Sequence, residues 1–579
     1  CINGGTVSGT TGSCTCMSCN AGYEGASCQI LSSVSLLNTW TQIGSDIQGR
    51  ATNELTGYSV SISSAGTRVA IGSLYAAPAG HVRIYQNIGG SWIQVGSNIA
   101  GLAGENFGWW VSLSSDGTRV AIGAPGSSET TAGYVGVYDE LGGAWTQVGS
   151  NILSENEGDF SGYSVSMSAD GTRIAIGAPW NTNGINFDAG HVRVYEEING
   201  MWKQIGSDID GEHAGDTSGY SVCISSDGVR LAVGAGGNDG DSTQPDNNRG
   251  HVRIYQELGG SWAQVGADID GEYEFDASGM SVAMSFDGTR VAIGARGNGD
   301  GQDGRSWGDA AGHVRVYEES GGSWTQVGVD IDGERALDES GFRVSMSADG
   351  RVVAIAAKEN DGHMAWNGVS GDSDDNRGHV RIYWEREGIW TQVGSDIDGE
   401  AAGDKSGHSV AISSTGLHVA IGGPGHDNEL GENVGHVRVF VAPQCDASAA
   451  PAYGSVGNCT SFLASGSTCQ PTCNSGYTVS GTASCSLGTL TAATCTPDLS
   501  PGSSLASPWP DVAEGSTEYA FALEFAISLE TLNAQSLSRR RRLLDAKTQT
   551  GLGRRLMDAA FGLKPSSDVE VSDASAPGD

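Results

Sequence analysis

The sequence predicts an all-β protein: a seven-bladed β-propeller of four-stranded blades, flanked by small disulfide-rich modules. Three observations support this. A tryptophan-led unit occurs seven times, with spacings of 52, 53, 57, 60, 62 and 66 residues. Each copy holds four short strand-like runs bounded by turn residues. Eleven of the twelve cysteines lie before or after the repeats. The leading tryptophans are Trp40, Trp92, Trp145, Trp202, Trp262, Trp324 and Trp390.

The four runs are clearest in the third copy. Residues 164–168 alternate with period two, 173–177 are short and apolar, 191–195 alternate again, and 145–152 supply the fourth run. Asp170-Gly171 predicts a tight hairpin between the first two. We name these strands A, B, C and D in that order. The series begins with a D run at Trp40 and ends with a C run, so we expect the first run to complete the last blade.

An up-and-down path places the A–B and C–D turns on one face of the propeller. The B–C loops and D–A connections share the other, which we name the loop-rich face. Its B–C loops lengthen from residues 76–80 in the first blade to 358–378 in the sixth. Because variable loops on a rigid scaffold usually carry binding, we expect a ligand there. The residues predicted to face that ligand are Asp239, Asp241, Asp300, Asp303, Trp307, His363, Trp366 and Asp374.

The loop-rich face is also acidic, since four D–A connections carry the pattern D-x-D-G-E-x3-D. Carboxylates on glycine-rich loops are the oxygen ligands that Ca²⁺ prefers, so calcium is the expected metal. The alternative is that Asp-Gly shapes turns and the charge is solvated. The predicted ligands are Asp208, Asp210, Glu212 and Asp216; Asp268, Asp270, Glu272 and Asp276; Asp330, Asp332, Glu334 and Asp338; and Asp396, Asp398, Glu400 and Asp404.

Composition restricts the function further. The 579 residues carry a formal charge of −37, which argues against a nucleic-acid partner. No stretch reaches the roughly 18 apolar residues that a membrane-spanning helix needs. We find no nucleophile elbow, phosphate loop or His-Glu-x-x-His.

A histidine begins strand C in six copies, which predicts a packing or hydrogen-bonding role for it. Cys223 is expected to be a buried free thiol.

Gly162-Tyr163-Ser164-Val165, then Ile176-Gly177-Ala178-Pro179 and Ala189-Gly190-x-Val192-x-Val194-Tyr195, resemble FG-GAP repeats of the integrin α-subunit propeller. The resemblance covers residues 38–443 and implies an extracellular adhesion or recognition propeller, often stabilised by calcium. The family holds calcium in a D-x-D-x-D-G loop of the A–B hairpin. In this chain that hairpin is only Ser-Ala-Asp-Gly or a close variant, so the family's calcium sites do not carry over.

Residues 1–30 resemble an EGF-like module through Gly-Tyr-x-Gly-x-x-Cys at 22–28, with disulfide candidates Cys14, Cys16, Cys19 and Cys28. Five cysteines cannot all pair among themselves, so we expect further sequence upstream. Residues 444–496 resemble a sushi module, although they hold six cysteines where that family has four. These are Cys445, Cys459, Cys469, Cys473, Cys485 and Cys495, and they allow 15 pairings.

Three further features lie in or beyond that module. Asn458 begins an N-glycosylation sequon. Residues 497–515 form a Pro/Ser-rich linker. Residues 516–579 form a partial domain or a tail, whose arginine run at 539–542 is either a processing site or a solvated basic stretch.

We therefore expect a secreted or cell-surface adhesion protein that binds a protein or glycan through the loop-rich face, and no enzymatic activity. Two alternatives stay open. One is a propeller glycan-active hydrolase or lyase, whose site would be assembled from several blades and would escape a motif search. The other is a structural component of a cell coat or matrix. The EGF-like and sushi-like flanks favour adhesion or structure by analogy.

Overall fold

The computed structural model describes residues 39–497 except 77–78, 103, 127–131, 241–246, 300–309, 362–374 and 461–462, together with four short strands before residue 32. The chain divides into two compact units, residues 1–472 with 481–494, and residues 473–480 with 495–579. The described part contains strands and no helix.

Seven sheets repeat one pattern, from the first blade to the seventh. The A strands are Thr56–Ile62, Trp110–Leu113, Ser164–Met167, Ser221–Ile224, Ser281–Met284, Arg343–Met346 and Ser409–Ile412. The B strands are Arg68–Ser73, Arg119–Ala124, Arg173–Ala178, Arg230–Ala235, Arg290–Ala295, Val352–Ala357 and His418–Gly423. The C strands are His81–Ile88, Tyr134–Leu141, His191–Ile198, His251–Glu257, His313–Ser320, His379–Arg386 and His436–Val441.

The outer edge of each blade consists of two short strands that both pair with C. The D strands are Ser91–Gln94, Ala144–Gln147, Met201–Gln204, Trp262–Gln264, Ser323–Gln326, Ile389–Gln392 and, for the seventh blade, Thr41–Gln42. The D′ strands are Ile99–Ala100, Ile152–Leu153, Ile209–Asp210, Ile269–Asp270, Ile331–Asp332, Ile397–Asp398 and Ile47–Gln48. The single D run expected at 145–152 is thus divided. At Gly149 the chain turns with a φ of +68°, where a Cβ would lie 2.9 Å from the Gly200 carbonyl.

The sheets form a closed ring, which confirms the predicted all-β propeller. Strand order within each blade is A–B–C–D, and the A strands contact one another in sequence, the seventh contacting the first. The ring closes as expected. Strand C of the seventh blade pairs with the N-terminal strands, with Phe440 opposite Gln42 and Val437 opposite Ile47. Two ends of the domain that lie almost 400 residues apart therefore share one sheet.

The core lies between blades. Each of seven apolar clusters combines strands of two neighbouring blades, such as Val165 and Ile176 of the third with Val135 of the second. The repeated tryptophans reinforce these boundaries. Each indole Nε1 donates a hydrogen bond of 2.8–3.1 Å to a backbone carbonyl of the neighbouring blade, for example Trp262 to Ile205. The tryptophan that leads each repeat thus links two neighbouring blades by a hydrogen bond.

We expect Trp262→Phe to lower the free energy of unfolding by about 1 kcal/mol beyond its packing loss, because the Ile205 carbonyl loses its donor. Urea unfolding of the full chain measures this. Trp366→Phe, in a loop outside the described residues, is the composition-matched control. Equal losses of unfolding free energy in the two variants would contradict the role of Trp262 in linking the blades.

Outside the propeller, three disulfides join Cys445 to Cys485, Cys459 to Cys469 and Cys473 to Cys495. They resolve the 15 pairings that the sequence left open. Such bonds persist in oxidising compartments. The strands of this segment are Gly454–Ser455, Thr468–Cys469, Thr472–Cys473, Tyr477–Val479, Ala483–Ser486, Thr489–Thr491 and Cys495–Pro497. Asn458 of the sequon is exposed.

The N-terminal segment contributes the strands Thr6–Ser8, Thr15–Ser18, Tyr23–Glu24 and Ile30–Leu31. Cys14, Cys19 and Cys28 lie outside the described residues, and of Cys16 only the backbone is described, so these disulfide candidates stay predictions. Within the described ranges, no helix has the length and hydropathy needed to cross a membrane.

Candidate functional site

A ring of side chains surrounds the central channel where the A strands begin, on the loop-rich face. Successive ring centroids lie 4.5–5.6 Å apart from Phe342 through His408, Tyr58, Trp109 and Tyr163 to Tyr220. Met280 occupies the remaining position. We name this set the collar: Tyr58, Trp109, Tyr163, Tyr220, Met280, Phe342 and His408.

The backbone fixes the direction of each collar side chain. Every collar residue follows a glycine whose φ lies between +86° and +93°. At Gly279 a Cβ would lie 2.5 Å from the His251 carbonyl of the preceding blade, so only glycine fits this close approach. The Gly-Tyr-Ser-Val pattern therefore encodes an aromatic ring as well as a strand. Aligning the seven copies on this glycine would have revealed it, since five of the collar residues are Tyr, Trp or Phe.

Arg343 of the sixth blade reaches across the channel beside the collar. Its guanidinium carbon lies 5.0 Å from the ring of Trp110, in the second blade, and 4.8 Å from that of Phe342. No carboxylate of the described residues lies within ion-pair distance of this guanidinium. Lys358 also lies over Phe342, at 4.4 Å. Two positively charged side chains therefore lie at the mouth of the channel in a protein whose net charge is negative.

His408 is held in one orientation within the collar. Its Nδ1 lies 3.1 Å from the Tyr58 carbonyl, which can only accept, so Nδ1 carries the proton and Nε2 has its lone pair. Burial, followed by the positive charges of Arg343, Lys358 and Lys405, lowers the pKa of His408 to about 3. Burial raises the pKa of the Tyr58 phenol. A neutral imidazole and a protonated phenol are therefore adjacent, with ring centroids 4.5 Å apart.

The carboxylates of each acidic D–A connection have separate partners. Taking the first as the example, Asp208 accepts a hydrogen bond of 2.6 Å from Gln204, and Glu212 lies 3.4 Å from Arg253 of the next blade. Asp216 accepts the backbone N–H groups of residues 212 and 213 at 2.9 and 2.8 Å. The last aspartate of the pattern thus shapes its own loop, although it does not precede a glycine and is buried. The calcium expectation for these residues stays a prediction.

Other carboxylates of these connections come together with the repeated histidines at blade boundaries. In each set, one ligand atom from every residue lies within 4.8 Å of the others. The sets are Glu155, His191 and Asp208; Glu212, His251 and Asp268; Glu272, His313 and Asp330; Glu334, His379 and Asp396; and Glu400, His426 and His436. The strand-C histidines of these sets are 1–2% exposed, which agrees with a packing role. Nε2 of His191, His251 and His313 is buried without a hydrogen-bond partner among the described residues.

Acid should destabilise the protein because these histidines are buried neutral. Burial lowers the pKa values of His191, His251 and His313 to about 4 each, against about 6.5 when unfolded. Between those values the unfolded chain binds more protons, so stability falls as pH drops from 6.5 to 4, on the order of 1.4 kcal/mol per pH unit for each histidine. Thermal melts across this range, with chelator present, measure the loss. A pH-independent melting temperature would contradict it.

The predicted ligand-facing residues lie mostly outside the described ranges. This holds for Asp241, Asp300, Asp303, Trp307, His363, Trp366 and Asp374. Asp239 is described, and it accepts the backbone N–H groups of Asn247 and Asn248 at 2.8 and 3.0 Å, closing its own loop. Cys223 is a free thiol as expected, but its surface is half-buried and not fully buried. The burial raises its pKa to about 11.

No protein-family model matches the sequence, and no curated protein matches it either. Solved structures share its fold. They include the periplasmic gluconolactonase PpgL of Pseudomonas aeruginosa, with 14% identity, 78% of this chain and 98% of that one covered, and a TM-score of 0.42. A protein assigned as a 6-phosphogluconolactonase from Bacteroides uniformis has 11% identity, coverage of 60% and 86%, and a TM-score of 0.40. The WD40 repeats of RRP9 have 11% identity, coverage of 69% and 99%, and a TM-score of 0.41.

These comparisons correct the adhesion hypothesis. The solved propellers named above are two lactonase-type proteins and a WD40 protein, and none is an adhesion protein. The expectation of an adhesion or recognition protein, which depended on family resemblance, is therefore wrong. At this level of identity the likeness shows the propeller fold and transfers no activity.

Proposed function

We propose that the protein is a carbohydrate-active lyase that cleaves a glycan containing a uronic acid at the collar. The observation that carries this is Arg343, a cation without a described carboxylate partner, held between two aromatic rings in a chain of net charge −37. Aromatic faces stack on sugar rings, and a guanidinium pairs with a carboxylate in bidentate fashion. The collar offers both in one channel mouth.

The collar residues supply the groups that β-elimination needs. Arg343 would neutralise the uronate carboxylate, which makes the proton on the adjacent carbon more acidic. Pairing with the substrate carboxylate would offset the charge of Arg343, which helps to lower the pKa of His408, so His408 would become a stronger base as substrate binds. Its Nε2 would then take that proton, the bond from the next carbon to the glycosidic oxygen would break, and Tyr58 would donate a proton to that oxygen. The products are a new reducing end and a sugar with a carbon–carbon double bond. No redox partner or water is consumed.

Elimination suits the collar better than glycoside hydrolysis does. Hydrolysis generally requires two carboxyl groups flanking the scissile bond. Two carboxylates near the collar, those of Glu339 and Glu359, are both engaged by Lys358, Glu339 at 3.1 Å. The collar instead places a neutral imidazole, which can act as a base, beside an arginine without a described carboxylate partner, which can bind the carboxylate of a substrate.

Incubation of the full chain with uronate-containing polysaccharides and neutral glycans tests this function. Ultraviolet absorption of the unsaturated product, appearing only with uronate substrates, would support it. New reducing ends without that absorption would identify hydrolysis and overturn the lyase proposal. Binding without product from any substrate would also overturn it.

We further propose that the repeats are of the FG-GAP type, that the flanks are EGF-like and sushi-like, and that the protein works outside the cytoplasm. The three disulfides support an oxidising compartment. Mass spectrometry of the native protein under non-reducing conditions tests this, since reduced cysteines at 445–495 would contradict export.

A further inference from the structure

We propose that the boundaries entering blades three to six each bind one divalent cation of the zinc class through a histidine, an aspartate and a glutamate. The histidine begins strand C, the aspartate directly precedes D′ of the same blade, and the glutamate follows D′ of the blade before. The ligand triplets are Glu155, His191 and Asp208; Glu212, His251 and Asp268; Glu272, His313 and Asp330; and Glu334, His379 and Asp396.

The geometry leaves a space of the right size. His251 Nδ1 lies 3.6 Å from Asp268 Oδ2, and His191 Nδ1 lies 3.8 Å from Asp208 Oδ2. Both separations exceed a hydrogen bond. Two ligand atoms bound at the usual distances to one tetrahedral zinc ion lie about 3.4 Å apart. An ion therefore fits between the histidine nitrogen and the aspartate oxygen with small adjustments.

The histidines are buried polar groups that lie beside these carboxylates. His191, His251 and His313 are at most 2% exposed, and Nε2 of each has no hydrogen-bond partner among the described residues. Nε2 is not the nitrogen that faces the carboxylates, since Nδ1 has that position. In the set of the seventh blade the facing nitrogen itself, His436 Nδ1, is buried without a hydrogen-bond partner, and buried polar groups are normally paired, so a partner is missing there. A neutral imidazole is the form that binds a metal.

The carboxylates are held in place by other side chains. Gln264 donates to Asp268 at 2.6 Å, and Arg253 lies 3.4 Å from Glu212. Such supporting contacts orient the ligands of metal sites. One imidazole and two carboxylates form a mixed nitrogen and oxygen set, which suits zinc-class cations better than calcium, whose ligands are oxygens alone.

The repeats themselves provide an internal comparison. At the glutamate, histidine and aspartate positions, the first blade has Arg50, His81 and Asn98, and the second has Leu102, Tyr134 and Asn151. In the first, His81 lies 3.2 Å from Glu54, a loop-shaping carboxylate. In the second, the Tyr134 hydroxyl donates to Glu105 at 2.7 Å. In the second blade, where the two carboxylates are missing, the strand-C tyrosine thus has another partner, whereas His81 Nε2 of the first blade is buried without a hydrogen bond despite the nearby Glu54.

The seventh blade carries a variant of the set. His436 Nδ1 is buried without a hydrogen bond and lies 3.6 Å from Asp46 and 3.8 Å from Glu400. Its ring stacks on His426 at 3.9 Å, and Asp404 lies 3.1 Å from His426 Nδ1. Asp46 belongs to the N-terminal run that closes the ring. A cation at this boundary would therefore bind the two ends of the propeller together.

Zinc titration of the chelator-stripped full chain, followed by calorimetry, tests the proposal. We expect up to five equivalents, one per set, and a higher melting temperature. The double variant Glu212→Gln with Asp268→Asn should lose one equivalent. Its matched control, Asp227→Asn, lies in an A–B turn on the opposite face and should lose none.

Cobalt(II) provides a second readout, since its visible absorption reports tetrahedral nitrogen and oxygen ligands and should weaken in the same double variant. Both altered side chains are partly exposed, and circular dichroism melts of the stripped variant confirm that it folds. Unchanged stoichiometry in the double variant would overturn the proposal. So would calcium binding with no zinc binding, which would favour oxygen-only sites.

Discussion

Replacing Glu54 with alanine should lower the free energy of unfolding by about 3–5 kcal/mol, because it leaves a buried arginine without its counter-ion. Arg83 is fully buried, and its Nη2 lies 2.5 Å from Glu54 Oε1. Burial acts to raise the pKa of Glu54, but hydrogen bonds from His81 and the Arg50 N–H and the charge of Arg83 outweigh it and lower that pKa to about 2. Urea unfolding monitored by tryptophan fluorescence measures the loss.

The other blades supply the control. The corresponding arginine of the fourth blade, Arg253, pairs with a carboxylate at a different position, Glu212, which lies 3.4 Å away and is 41% exposed at its side chain. Arg253 also donates to the Asp210 carbonyl at 2.7 Å, so it keeps a partner when Glu212 is removed. Glu212→Ala, measured with chelator present, should therefore cost no more than about 1 kcal/mol. Adding Arg83→Met to Glu54→Ala should recover part of the loss, because the unpaired charge is removed. Similar losses for Glu54→Ala and Glu212→Ala would contradict the burial argument.

Changing His408 to phenylalanine should lower kcat by about 10²–10⁴-fold on the uronate substrate, because the base is lost while the collar keeps its shape. Arg343→Met should instead raise KM as well as lower kcat, since the guanidinium pairs with the carboxylate in the ground state and more strongly in the transition state, where negative charge builds up on it. Steady-state kinetics on the polysaccharide that gives the unsaturated product measure both.

Asp227→Asn, on the opposite face, should retain wild-type kinetics. Full activity in the His408 variant would remove this residue from the mechanism. A drop in kcat without a change in KM for Arg343→Met would mean that it acts only in the transition state. Activity of that variant on the methyl-esterified uronate substrate, which keeps the acidifying carbonyl group but lacks the charge, separates carboxylate recognition from loss of the fold.

The sequence alone determined the architecture because the evidence for it is local and repeated. Period-two runs, Asp-Gly turns and a tryptophan at each copy predicted seven four-stranded blades, and the unpaired C run at 436–440 predicted closure by the N-terminal run. The divided D strand was not predicted, because its cause, the approach of Gly149 to the Gly200 carbonyl, joins two blades. The same limit applies to the disulfides, whose pairing depends on proximity in space.

Function depended on contacts that no single repeat contains. The acidic motif suggested that its own four carboxylates act together. In the fold, however, Asp208 and Glu212 lie at different blade boundaries. The collar is assembled from one residue of each blade, so its histidine and aromatic rings, and the arginine beside them, are scattered along the chain. The sequence therefore determined the β-propeller, since strands and turns are encoded locally. Only the tertiary structure decided which side chains meet, because a closed ring brings together residues that lie some 350 positions apart, such as Tyr58 and His408.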